Sequence, residues 1–219
     1  MNGTKIFDLN QALSLRNSKS QLGQDVFALY FSDFKLSGTF LEIGAADGVT
    51  LSNTYILEKY FNWTGILCEP AFGWRDALKN NRSAELIFDA IWSVSGEILE
   101  FREVVQKEYS TISKLSGNDQ HAQLRNHGND YLVKSLSLPD LIQQCRIPSD
   151  LDYLSIDTEG SEFDILKNVD FGIFQPKIIT VEHNFTHNRE LIFNLLTSFG
   201  YKRCFEELSR WDDWYILRK

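Results

Sequence analysis

No stretch of the 219-residue chain concentrates lysine and arginine. With a formal net charge of −8 and a pI of about 5.0, it lacks the clustered cations on which binding to a phosphate backbone rests. Nucleic acid is therefore not an expected partner, and the acidic balance reads as a surface kept soluble by its charge. Cysteine is sparse. Cys68, Cys145 and Cys204 are odd in number, far apart and without metal-ligand spacing, which suits reduced thiols in a cytoplasmic protein rather than a disulfide framework. No apolar run approaches the roughly 18 residues a membrane span needs. The first twenty residues hold charges and asparagine but no apolar core, so no secretory signal is expected. Repeats and low-complexity tracts are missing too. What remains, 43% hydrophobic and 24% charged residues, is the composition of one ordinary globular domain spanning 1–219.

Periodicity along the chain predicts alternating elements. Residues 1–35 form a helical N-terminal segment, in which Val26, Leu29, Tyr30 and Phe34 recur at helical spacing. Strands are expected at Thr39–Ile43, Gly65–Cys68, Ala84–Phe88, Leu151–Ile156 and Lys177–Val181. Helices are expected between them at Asn53–Tyr60, Phe72–Asn80, Leu138–Cys145, Ser161–Asn168 and His187–Phe199, with Ser161 as an N-cap and Gly200 closing the last. This rhythm, with its short connections, predicts an α/β fold doubly wound around a mostly parallel sheet. Tyr201–Phe205 and Trp214–Leu217 are expected to add a C-terminal antiparallel edge hairpin, whose aromatics offer a surface for a homo-oligomer. Between Ile98–Val105, read as a strand, and residue 135 the rhythm fails; residues 106–135 are expected to form a lid or substrate loop.

Open α/β sheets bind ligands beyond the carboxyl ends of their strands, and polar residues gather at those ends here. Glu42-Ile43-Gly44-Ala45-Ala46-Asp47-Gly48 follows the first strand, Glu69 the second, Asp89 the third. Gly44 and Gly48 permit a tight turn and close approach of a ligand. The loop is not the dinucleotide fingerprint, which needs glycine where Glu42 stands. A carboxylate there repels a diphosphate and suits the ammonium and sulfonium groups of S-adenosylmethionine. Glu69, about twenty residues beyond Gly48, is placed to accept hydrogen bonds from ribose hydroxyls, and Asp89 to reach an adenine amino group. Cofactor contacts are thus expected from Glu42, Gly44, Ala45, Asp47, Gly48, Glu69 and Asp89, with Gln24 and Asp25 opening a helix that closes over them.

Five segments carry a family resemblance: Ser20-Gln21-Leu22-Gly23-Gln24-Asp25, Phe40 to Gly48, Cys68-Glu69-Pro70, Ile156-Asp157-Thr158-Glu159-Gly160-Ser161-Glu162, and Val181-Glu182-His183-Asn184. Over residues 20–217 the chain resembles the FkbM-type methyltransferases. The resemblance implies a Rossmann-like methyltransferase fold and S-adenosylmethionine-dependent methyl transfer to a hydroxyl, often of a sugar. It does not name the acceptor, a small molecule or a glycan. An alcohol loses its proton only to a well-placed base or beside a metal. Two arrangements follow. In one, His183 is the base, oriented by Glu159 or Asp157. In the other, Asp157 and Glu182 hold magnesium or manganese, with His183 or Asn184 completing the shell. Glu159 and Glu162 also have a plainer role, as anions at a helix start. His121 and His127 are expected to be solvated in the lid. A non-catalytic cofactor-binding module is disfavoured by the full set of acidic and glycine positions, and a nicotinamide-dependent oxidoreductase by the glycine spacing.

Overall fold

The computed structural model describes residues 9–117 and 121–218. Residues 1–8 of the expected N-terminal helical segment, 118–120 of the expected lid and the terminal Lys219 lie outside the described residues.

The strands are β1 (Thr39–Ile43), β2 (Thr64–Cys68), β3 (Glu85–Ile87), β4 (Ala90–Trp92), β5 (Ile98–Val104), β6 (Thr111–Ile112), β7 (Gly128–Ser137), β8 (Tyr153–Ile156), β9 (Ile178–Glu182), β10 (Tyr201–Cys204) and β11 (Asp212–Leu217). The α-helices are α1 (Leu9–Ser14), α2 (Gln24–Phe31), α3 (Tyr55–Phe61), α4 (Arg75–Asn81), α5 (Leu138–Gln144), α6 (Glu162–Leu166), α7 (Asn188–Ser198) and α8 (Glu206–Ser209).

Seven strands form the main sheet in the order β10-β11-β9-β8-β1-β2-β3. From β9 to β3 all neighbours are parallel, while β11 runs antiparallel to β9 and β10 antiparallel to β11. The mostly parallel, doubly wound sheet is as the sequence predicts. Alternation along β1 shows why it is covered twice. Leu41 and Ile43 join one core cluster with Leu154, Ile156, Ile179 and the helix residues Leu141, Ile165 and Ile192. Phe40 faces the other side, with Tyr153, Ile178, Trp214 and the helix residues Phe27, Leu29, Ile56 and Leu57. The terminal hairpin pairs Cys204 with Trp214, yet only β10 is an edge. The stretch Asp212–Tyr215 is buried between β9 and β10.

A second sheet, β4-β7-β5-β6, stands beside the first. It corrects the expected lid. Short 3-10 turns do occupy Lys107–Tyr109, Ser113–Leu115 and Ala122–Asn126, but from Gly128 onward the chain is a ten-residue strand paired with β5 from Val104↔Gly128 to Ile98↔Lys134. The first half of β7 is exposed and polar, so its composition imitates a loop. The irregular stretches 106–117 and 121–127 are called the roof below. Ser137 caps α5 by accepting from Asp140 N at 3.2 Å, with Pro139 in the first turn. Ser161 stands at the N-cap of α6 without capping it; its hydroxyl donates to Thr158 Oγ1 instead. Helix α3 starts at Tyr55, two residues later than expected, because Ser52, Asn53 and Thr54 are turned back toward Glu42.

Candidate functional site

A cavity of about 380 Å³ opens where the parallel strands end, inside the range of small-ligand sites. The β1 exit forms its floor. Gly44 has φ +91°, and its amide donates to Cys68 O at 2.9 Å. A Cβ on Gly44 would lie 1.6 Å from the carbonyl oxygen of Asp157, so β1 and β8 can approach this closely only across a glycine. Gly48, at φ +77°, lies against Arg82 and Leu78. Asp47 does not face the cavity. Its carboxylate accepts from Val49 N, Thr50 N and Thr50 Oγ1, holding the turn.

Glu42 lines the cavity, but its oxygens accept from Ser52 Oγ, Asn53 N and Thr54 Oγ1. The guanidinium of Arg82, wholly buried, stands 3.8 Å away and also donates to Gly48 O and pairs with Glu58. The charge read in the sequence as facing the ligand is therefore compensated inside the loop, and the carboxylate ties the loop to α3 and α4. Arg82 carries no sequence signal, since one arginine after a helix looks like any solvated cation.

Glu69 is different. It is buried at the end of β2, with Oε2 accepting from Ala46 N at 2.9 Å and Oε1 from Ala71 N at 2.8 Å. Each oxygen keeps a further lone pair, and the side chain lines the cavity. Burial pushes its pKa up to about 7, against the two backbone donors. Pro70, Trp74, Ala90, Ile91 and Phe101 supply an apolar wall beside it. Asp89, between β3 and β4, does not line the cavity, although its neighbours Ala90 and Ile91 do. Gln24 and Asp25 are also absent from the lining. Gln24 Nε2 donates to Asp212 Oδ2 at 2.7 Å, and Asp25 accepts from Ser18, Ser20 and Val26 N.

At the exits of β8 and β9 the carboxylates of Asp157, Glu159 and Glu182 each offer an oxygen within 4.8 Å of the others. The intervening motif explains the arrangement. Glu159 has φ +59° and Gly160 φ +115°. Glu162 Oε1 braces this turn by accepting from Thr158 N, Thr158 Oγ1 and Gly160 N, a more specific role than an anion at a helix start. His183 is not part of the cluster. Its Nδ1 accepts from Phe185 N at 3.0 Å and its Nε2 stands 3.6 Å from Asp213 Oδ1, away from the cavity. Neither Asp157 nor Glu159 orients it, which corrects both roles expected for His183; Glu159 takes its place beside Asp157 and Glu182, and Asn184 lines the cavity.

Crowded acid groups leave a mark on the pKa values. Burial raises Asp157 to about 6 and Asp212 to about 8, the latter helped by the charge of Asp157. Burial pushes Glu182 well above the usual range too, again with Asp157 beside it. Carboxyls of the unfolded chain titrate near 4. Between that pH and each raised value the folded chain holds protons that the unfolded chain has released, so stability falls as pH rises. The melting temperature is expected to be highest near pH 4 and lower by about 5 °C or more at pH 8. Thermal melts of Asp212→Asn should show a shallower decline across the whole window from about pH 4 to 8, over which folded Asp212 keeps a proton that the unfolded chain has lost; an unaltered profile would contradict the assignment.

The roof closes the other side. Lys107, Tyr109, Ser110, Ile112 and His121 line the cavity, and Arg125, wholly buried, pairs with Glu159 Oε2 at 2.6 Å. These roof residues, like Trp211 and Gln21 at the rim (3.2 Å apart), are brought in by tertiary structure alone.

Strand order and cavity together define an α/β protein of the Rossmann-like methyltransferase type, with its cavity at the strand exits. The sequence profile described as "Methyltransferase FkbM domain" matches residues 42–211, most of the chain, and the protein belongs to that family. Among solved structures, methyltransferase FkbM from Methylobacillus flagellatus KT aligns at 13% identity with a TM-score of 0.52, covering 94% of this chain and 58% of its own. Precorrin-6y C5,15-methyltransferase from Geobacter metallireducens GS-15 aligns at 12% identity with a TM-score of 0.47, covering 82% and 72%. The first of these likenesses concerns the fold alone. No curated protein sequence matches the chain. Among the described residues, no helix is long and apolar enough to cross a membrane.

Proposed function

We propose that the cavity binds S-adenosylmethionine and that the protein transfers its methyl group to a hydroxyl oxygen of a small molecule or glycan, a sugar hydroxyl above all. The observation that carries this reading is Glu69: a buried carboxylate at the β2 exit, fixed by two backbone donors, with lone pairs left toward the cavity. A vicinal ribose diol supplies matching donors. The apolar wall of Trp74, Ala90 and Ile91 suits an adenine, and the Gly44 turn lets a methionine portion lie against the backbone without a Cβ in the way.

S-adenosylmethionine supplies an electrophilic methyl carbon on a sulfonium. The chain's own work is to hold the acceptor oxygen in line and remove its proton. Asp157, Glu159 and Glu182 border the space where that oxygen would sit. Glu182 Oε2 is buried without a hydrogen-bond partner, and with Asp157 it would hold a divalent cation that lowers the hydroxyl pKa, Glu159 standing where the sequence had placed His183.

Calorimetric titration separates the readings. S-adenosylmethionine should bind with measurable heat and raise the melting temperature, while NAD does neither. No heat and no thermal shift on folded protein would overturn the proposal. With labelled cofactor and a panel of glycans and small alcohols, methyl transfer should fail in excess chelator and return with magnesium or manganese. Full activity in chelator would remove the cation and leave the methyl transfer.

A further inference from the structure

The chain has four histidines, and an alcohol acceptor needs a group to take its proton. His183 has the recommending sequence position, but its ring is enclosed between Phe185 N and Asp213. His127 and His187 are exposed and do not line the cavity. His121, which the sequence places among solvated lid residues, does line it.

Its ring is held in place. It stacks on Tyr109 with centroids 4.5 Å apart and planes 23° from parallel. Tyr109 also lines the cavity, and its phenol is pushed up by burial and then by the charges of Glu108, Glu159 and Glu182, so it lies within electrostatic reach of the carboxylate cluster. The roof is fixed to that cluster. Arg125 Nε donates to Tyr109 O at 2.6 Å and Nη2 to Glu159 Oε2 at 2.6 Å, and Thr111 Oγ1 donates to Glu159 O at 3.0 Å. A fully buried arginine pair is costly to desolvate and is weak evidence for stability alone. Here it fixes one stretch of roof over one strand exit.

We propose that His121 is the catalytic residue that accepts the acceptor's proton, with Tyr109 orienting its ring and Arg125 acting as the positioning residue that ties both to the β8 exit. This rests on the methyl-transfer reading above. The acceptor oxygen bonds to the methyl carbon, the carbon–sulfur bond breaks with its electron pair going to sulfur, and the hydroxyl proton passes to a ring nitrogen of His121. A neutral thioether, a methyl ether and an imidazolium result, and the imidazolium returns its proton to water.

The test does not depend on knowing the acceptor. Histidine-labelled protein would be titrated by NMR in complex with S-adenosylmethionine and with S-adenosylhomocysteine, the His121 signal being assigned from His121→Gln. A sulfonium near the ring disfavours the imidazolium, so His121 should titrate lower in the first complex by roughly half a unit or more. The exposed His127 and His187 should titrate alike in both. Equal titration of His121 in the two complexes overturns the proposal and leaves the cofactor reading intact. Failure of both ligands to bind overturns the reading beneath it. With an acceptor in hand, His121→Gln should keep cofactor affinity and lose turnover by about 10²-fold or more; normal turnover would equally overturn the assignment.

Discussion

Replacing Glu69 by alanine is expected to raise the dissociation constant for S-adenosylmethionine by two to four orders of magnitude while the protein stays folded. Two hydrogen bonds from a ribose diol to a carboxylate contribute about 1.5–3 kcal/mol each when the acceptor is charged, and a factor of ten corresponds to about 1.4 kcal/mol. The fold should survive because the cost is local. Ala46 N and Ala71 N lose their acceptor, but the same substitution removes a carboxyl whose burial already works against its charge. The pKa of about 7 adds a pH arm. Below that value the free protein carries Glu69 protonated, and a ligand that prefers the ionised form must first displace the proton. Cofactor affinity should therefore fall as pH is lowered from 8 to 6, and calorimetry on Glu69→Ala should show that dependence flattened. Unchanged affinity in Glu69→Ala would rule out the ribose role.

Gly44→Ala is expected to be more damaging and for a different reason. The added Cβ would meet a backbone oxygen, that of Asp157, at 1.6 Å, and a backbone atom cannot swing aside as a side chain can. Gly44 also has φ +91°, a conformation that costs a residue with a Cβ about 1–2 kcal/mol by itself. Relief requires the exits of β1 and β8 to part, which would break the contact of Asp157 N with Ile43 O and move Asp157 away from Glu182. A loss of at least about 3 kcal/mol in unfolding free energy, with cofactor binding abolished in whatever remains folded, should appear in denaturant titration and calorimetry. Gly96→Ala is the control. Gly96 also has positive φ, but nothing lies within 4 Å of its added Cβ, so it should cost only the backbone preference.

Much of this site is legible in the sequence because it depends on short stretches. The run Thr39–Gly48 announces a buried strand and a glycine turn by residue type, and Glu69 sits one strand further on. The Asp157–Glu162 run shows three acids and a glycine, although it does not show that Glu162 braces the turn while Glu159 pairs with the roof. The β7 strand is hidden because Gly128–Tyr131 is polar and paired on a small sheet, where no continuous apolar run is needed.

His183 and His121 mark the boundary most clearly. Consecutive residues of an extended chain point to opposite faces, so once Glu182 faces the cavity, its neighbour His183 is directed elsewhere. That alternation was available in the sequence. Its destination, Asp213 with Arg189 and Arg203 around it, was not, since the partner lies on a strand folded in from the C-terminus. His121 is the reverse case, a histidine in polar sequence that reaches the cavity through Arg125, Tyr109 and Glu159. The sequence by itself determined the alternation of strands and helices in the main sheet, the glycine turn and the acids at the strand exits, because hydrophobic periodicity and backbone geometry act over a few residues. Tertiary structure alone decided which acids carry free charge, which histidine lines the cavity and what closes it, because those depend on pairings between segments distant in the chain.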